Sequence, residues 1–142
     1  MADDQQLLNL VATGREAILA GVNRAGYPHL TNVLYVWDAA ERIARVSTTA
    51  DRVKAKVLRR DPRAALHVPG PNFWAYAVAE CDAEVSEVAT TPGDDVCREL
   101  LEVHSALLGE QDEDEMFFAQ MIEARRLIVR LRLRRLYGLV RD

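Results

Sequence analysis

The chain has 142 residues, a formal net charge of −4, 49% hydrophobic and 28% charged residues. That is the length of one domain able to bury a core, and it is too apolar for a disordered chain. The acidic balance argues against general nucleic-acid binding, no apolar run reaches the length of a membrane span, and the start Met1-Ala2-Asp3-Asp4 lacks a signal pattern, so a cytoplasmic protein with no membrane partner is expected.

Gln5 to Thr13 reads as a short helix with Leu7, Leu8 and Val11 on one face, ended by Gly14. Arg15 to Asn23 is apolar enough for a buried strand. Arg24-Ala25-Gly26-Tyr27 supplies a turn, and Pro28 to Asp38 resumes as a strand, so the two runs predict a hairpin. Asp38-Ala39-Ala40-Glu41 is the next turn, and Arg42 to Thr48 the third strand. A short helix follows, with Asp51 as expected N-cap and Asp61-Pro62 as stop signal. Arg63 to Val68 is a fourth strand. Phe73 to Val88 is a long strand-like run that places Trp74, Tyr76, Val78 and Glu80 on one face, with a bend or bulge expected near Cys81. Gly93 to Leu108 and Met116 to Ala124 read as helices joined by an acidic connector, Glu110 to Glu115. The final elements are Leu127 to Arg134, which alternates apolar residues with arginine, and a short strand from Leu136 to Val140.

About six strands, a short helix after the third and a helical pair before the last predict a mainly β, α+β fold. The expected form is a small antiparallel β-barrel with flanking helices, one domain over residues 1–142. Cys81 and Cys97 have no metal or disulfide setting and are expected to be reduced, buried small hydrophobes.

Few motifs carry chemistry. The serines have no glycine elbow, and His29, His67 and His104 lack ligand spacing and read as structural or surface residues. No metal site is expected. There is no GxGxxG and no P-loop. The informative stretch runs from Ser47 to Arg63. Arg52 and Lys54 fall in the first helical turn, where the helix dipole disfavours cations unless an anion sits between them. Helix-end N–H groups, the hydroxyls of Ser47, Thr48 and Thr49, and two cations together describe a phosphate site. A solvated basic helix is the alternative. The C-terminal arginines read either as a solvent face paired with the acidic connector or as a grip on an anionic ligand tail.

Three stretches, Gly26 to Val33, Ser47 to Arg63 and Trp74 to Glu80, resemble in order and spacing the flavin/deazaflavin oxidoreductases of the pyridoxamine 5′-phosphate oxidase-like superfamily, especially the actinobacterial branch that uses coenzyme F-420. The resemblance implies a six-stranded split β-barrel and a homodimer with cofactor sites at the subunit interface. It implies that Arg52 and Lys54 hold the cofactor phosphate, approached by Ser47, Thr48 and Thr49. The strand carrying Asn32 and Val33 would back the ring, and Trp74 and Tyr76 would be aromatic positions offered by the partner subunit. Val57 and Cys81 depart from the family's usual Asn and Gly. The implied activity is F-420-dependent hydride transfer to a small unsaturated or aromatic substrate. The alternatives are an FMN-dependent pyridoxamine-phosphate-oxidase-like enzyme and a non-catalytic flavin or deazaflavin carrier. No catalytic side chain is assigned. Arg130 and Arg132 would contact the oligoglutamate tail of F-420.

Overall fold

The computed structural model describes residues 3–110 and 114–141; the centre of the acidic connector, residues 111–113, lies outside them. The first helix, α1 (Asp4–Thr13), is fixed at its start by a capping box: the Asp3 carboxylate accepts from the Gln6 amide and the Gln6 side chain accepts from the Asp3 amide. Leu7 and Val11 are its buried face. Gly14 then turns the chain beside Tyr35, so close that a Cβ there would stand 2.5 Å from the Tyr35 hydroxyl.

β1 (Glu16–Val22) and β2 (Pro28–Leu34) form the expected hairpin, with Ile18 opposite Asn32 and Gly26 in the turn at φ +89°. The expected continuous strand from Pro28 to Asp38 is instead two strands. Tyr35 breaks it: its ring is fully buried, its hydroxyl donates to Val11 O at 2.6 Å, and its amide donates to Arg15 O. Beyond Tyr35, β3 (Val36–Asp38) leaves β1 and pairs with β4 (Ile43–Thr49).

α2 (Val53–Arg60), β5 (Arg63–Pro69), β6 (Tyr76–Val85), α3 (Asp95–Leu108), α4 (Asp114–Glu123) and β7 (Arg126–Leu139) complete the chain. The two expected C-terminal strands are one. β7 pairs with β4 through its first half and with β6 through most of its length. The expected irregularity near Cys81 is a register shift between Glu80 and Cys81, opposite Arg135 and Leu133, so the extra residue is Arg134 on β7.

The seven-stranded antiparallel sheet runs β2-β1-β5-β6-β7-β4-β3. β2 and β3 are consecutive in the chain yet lie at its two edges, so the sheet must curl until those edges meet at Tyr35. This is a split barrel, with seven strands rather than six because one tyrosine divides a strand. Leu19, Leu66, Val68, Val46, Leu127, Val129 and Leu131 fill the interior. Ile128, on the opposite face of β7, joins a second cluster with Cys97, Leu100, Val103, Phe117, Phe118 and Met121 of α3 and α4. Both cysteines are free and buried, and burial pushes the Cys81 thiol up to about 12. Glu99 pins α3 to the sheet by receiving Arg45 of β4 and Arg130 of β7.

Candidate functional site: a cationic groove end

The turn between β4 and α2 carries the predicted phosphate residues. The helix starts one residue later than expected. Arg52, not Asp51, is the N-cap, and it makes no side-chain capping bond; the Asp51 carboxylate instead accepts from the Thr49 hydroxyl. That hydrogen bond holds the Asp51 carboxyl below its usual range. The cap position therefore holds a cation where an acceptor is the norm, and Lys54 follows in the first turn.

β-Pairing adds a third cation. Thr49 stands opposite Arg126 at the start of β7. Burial, then the charges of Arg52 and Arg126, pulls the Lys54 ammonium below its ordinary value; burial and Arg52 act likewise on Arg126. Among the described residues none of the three makes a salt bridge to a carboxylate, although the Arg52 charge helps to lower the Asp51 carboxyl. Three of the other four β7 arginines do: Arg130 meets Glu99 and Glu84, Arg134 meets Asp82, and Arg135 meets Glu80. Among the described residues the arginine face is thus paired with β6 and α3. Arg130 is already engaged, and Arg132 is exposed.

The hydroxyls divide by strand alternation. Thr48 points to the buried side of β4, 4% exposed, while Ser47 and Thr49 share the outer face with Arg126. Ser47 Oγ accepts from Arg126 at 3.0 Å and lies 2.9 Å from Nε2 of His104 on α3. His104, read from sequence as structural, is therefore part of the site. Its distance of 57 residues from Ser47 gave no local signal. Burial, followed by the Arg126 charge, lowers the pKa of its imidazole.

Ser47, His104, Arg126, Leu34, Leu107 and Leu108 line a depression of about 190 Å³. Leu34 also borders a larger one of about 450 Å³ containing Asn32, Val33, Ile18 and His67. The two share Leu34 as a wall: Arg126 is the cation of the smaller, and the larger, on the outer face of β1 and β2, is lined by Ile18, Leu34 and Pro69 with Glu16, Asn32 and His67 as its polar groups. Asn32 presents an exposed side chain to this face; Val33 is buried on the opposite side, so it can offer the groove only its backbone. Tyr76 stacks on His67 with ring centroids 5.2 Å apart. Contrary to the sequence expectation, Trp74 does not share a strand face with Tyr76, where β6 begins. It sits in the turn before β6, its amide bonded to Asn72, edge-on to Phe73 and 57% exposed. The turn lies between Pro69, the last ladder position of β5, and its partner Tyr76. Among the described residues no cluster of His, Cys, Asp and Glu is arranged to hold a metal, and no helix is long and apolar enough to cross a membrane.

No protein-family model matches the chain. Solved structures do. A conserved hypothetical protein from Mycobacterium tuberculosis is 26% identical, with TM-score 0.72 over 96% of this chain and 83% of that one. A structure named F-420 reductase is 22% identical, with TM-score 0.67 over 91% and 94%. A protein of the pyridoxinephosphate oxidase family from Clostridium acetobutylicum is 13% identical, with TM-score 0.60 over 93% and 86%. At these identities the matches establish architecture, and together with the curled seven-stranded sheet they show that the chain has the split-barrel fold of the pyridoxamine 5′-phosphate oxidase-like proteins.

Proposed function

We propose that the chain is an F-420-dependent oxidoreductase acting on a small unsaturated or aromatic substrate. The observation that carries the reading is the set Arg52, Lys54 and Arg126, three neighbouring cations with no salt bridge to a carboxylate among the described residues, of which Arg126 lines the depression that shares Leu34 with the larger one. Cations gathered and partly desolvated in this way repel one another unless an anion completes them. A cofactor phosphate fits that donor set, and the Ile18–Asn32–His67 end of the groove is wide enough for a planar ring. A likeness in fold to a protein named F-420 reductase supports the same choice.

In this reading Arg52, Lys54 and Arg126 bind the phosphate and Ser47 orders Arg126 beside it. Asn32 and the Val33 backbone support the ring edge, and Leu34 keeps water from the junction. A bound deazaflavin supplies the hydride chemistry, and the protein supplies orientation and a dry wall. FMN is the alternative ligand, because its phosphate would use the same cations. A carrier role would use the same groove without turnover.

The larger depression is open on a sheet face that, among the described residues, no helix covers. Ile18, Leu30 and Leu34 are 39%, 62% and 46% exposed there, and Tyr137 continues the face on β7. A second copy packed on this face would bury those side chains and bring the Phe73–Trp74 turn to the groove, so a homodimer with sites at its interface is part of the proposal.

Titration with F-420 and with FMN, followed by tryptophan fluorescence, tests the cofactor. Turnover of reduced F-420 with a panel of enones, quinones and tetrapyrroles separates enzyme from carrier. Failure of both cofactors to bind at micromolar concentration would overturn the reading.

A further inference from the structure

Ser47 Oγ lies between a guanidinium and an imidazole, 3.0 Å from Arg126 and 2.9 Å from His104. Arginine has no acceptor, so Arg126 must donate to Oγ. The hydroxyl has one proton of its own. Opposite a neutral imidazole in the tautomer that keeps its hydrogen on Nδ1, that proton goes to Nε2. In that state Ser47 has no donor left for an anion. Once Nε2 is protonated, it donates to Oγ instead. Oγ then accepts from both neighbours, and its hydrogen must turn outward into the depression beside Arg126.

We propose that His104 is a positioning residue of the anion site, whose protonation turns the Ser47 hydroxyl into a donor for the bound anion, so that anion capture at Arg126 is coupled to proton uptake. This rests on the anion-site reading above. It adds a proton that the reading does not require.

The surroundings of His104 favour this coupling. β7 presents Arg126 and, further along the same face, Arg130; β4 presents Arg45 and Ser47. Arg45 and Arg130 are both held by Glu99 of α3 itself, which also carries the exposed Glu102. α4 contributes the Phe117 ring, edge-on at 5.3 Å, and β2 contributes Leu34. At the end of α3, Arg15 donates to the carbonyls of Ala106 and Leu107. Of the three cations, Arg126 acts on His104 directly. Arg126 is thus the cation in direct contact with the hydroxyl that His104 controls. Neutralising it with an anion removes the repulsion that opposes a proton on His104. By linkage, the proton strengthens the anion by the same factor.

The test uses sulfate, which stays a dianion from pH 5 to 8. The imidazole of His104 is followed by NMR across that range with and without sulfate, and sulfate affinity is measured at both ends. The proposal expects the His104 midpoint to rise on adding sulfate, and sulfate to bind about fivefold or more tightly at pH 5.5 than at pH 8. His104→Gln keeps a polar group but not the titration and should bind with no pH dependence. Ser47→Ala should flatten the profile while still binding. A wild-type pH profile in His104→Gln, or a His104 midpoint unmoved by bound sulfate, would overturn the proposal and leave the anion site standing. Absence of sulfate binding at every pH would remove the anion site and the proposal together. The NMR titration needs no variant, so a folding defect in His104→Gln does not protect the idea.

Discussion

Arg126 stands directly across the β4–β7 ladder from Thr49, and that one pairing brings a C-terminal arginine to the turn that carries Arg52 and Lys54. If these cations hold a phosphate, removing any one should cost a charge-assisted hydrogen bond. Lys54→Ala, Arg52→Ala and Arg126→Ala should each weaken cofactor binding by about 1.5–3 kcal/mol. Their folding stability should be unchanged or slightly raised, since each substitution relieves repulsion among like charges. Fluorescence titration and thermal melting of the same variants check both halves.

Glu99 does the opposite job, closing a network in which it receives Arg45 and Arg130 while Arg45 also reaches Asp38. The network is half-buried, so removing its carboxylate leaves Arg45 with Asp38 alone and Arg130 with Glu84 alone. Glu99→Gln should destabilise by about 2–3 kcal/mol, between the values for exposed and fully buried pairs, read by chemical denaturation.

The same carboxylate sets an acid limit. Burial alone would raise the Glu99 pKa, but Arg130 and Arg45 outweigh it and hold the group below its ordinary 4.5. A depressed folded-state pKa means stability that is fully present above about pH 5 and lost as pH falls below 4.5 toward the folded value. Wild-type stability should therefore decline in that window. Glu99→Gln should decline less, which denaturation midpoints at pH 6 and pH 4 will compare.

Gly14 is required by contact rather than by dihedral angle. A methyl group there meets the Tyr35 hydroxyl at 2.5 Å, and that hydroxyl donates to Val11 O where the strand divides. Gly14→Ala should cost about 1–3 kcal/mol, the range for overpacking, in a thermal or denaturant melt.

The uncovered face of β1 and β2 gives a further prediction. Leu30→Asp, at a position 62% exposed and remote from the cationic end, should leave the fold intact and shift the protein toward monomer in light scattering. If the interface completes the groove, the same variant should lose cofactor affinity as well.

Most of the architecture was legible from the sequence because strands, turns and caps are local. The hairpin at Gly26, the arginine-alternating strand and the bulge near Cys81 all have short-range signals. Three features did not. The division of the second strand depends on Tyr35 reaching Val11, 24 residues back. The helix start moved because Asp51 prefers the Thr49 hydroxyl to the helix amides. Trp74 left its expected strand face because the preceding turn outlasts it. The proposed phosphate residues Arg52 and Lys54 were visible as cations in an unfavourable place. Arg126 and His104 were not, because strand pairing and helix packing bring them to Ser47 from 79 and 57 residues away.

The most direct measurement is a paired titration of the purified protein with F-420 and with FMN, on wild type and on Lys54→Ala. The account predicts saturable binding of F-420 at micromolar concentration or below, weaker binding of FMN, and a loss of at least tenfold for F-420 in the variant. Equal F-420 affinity in wild type and variant, or no binding of either cofactor, would contradict it.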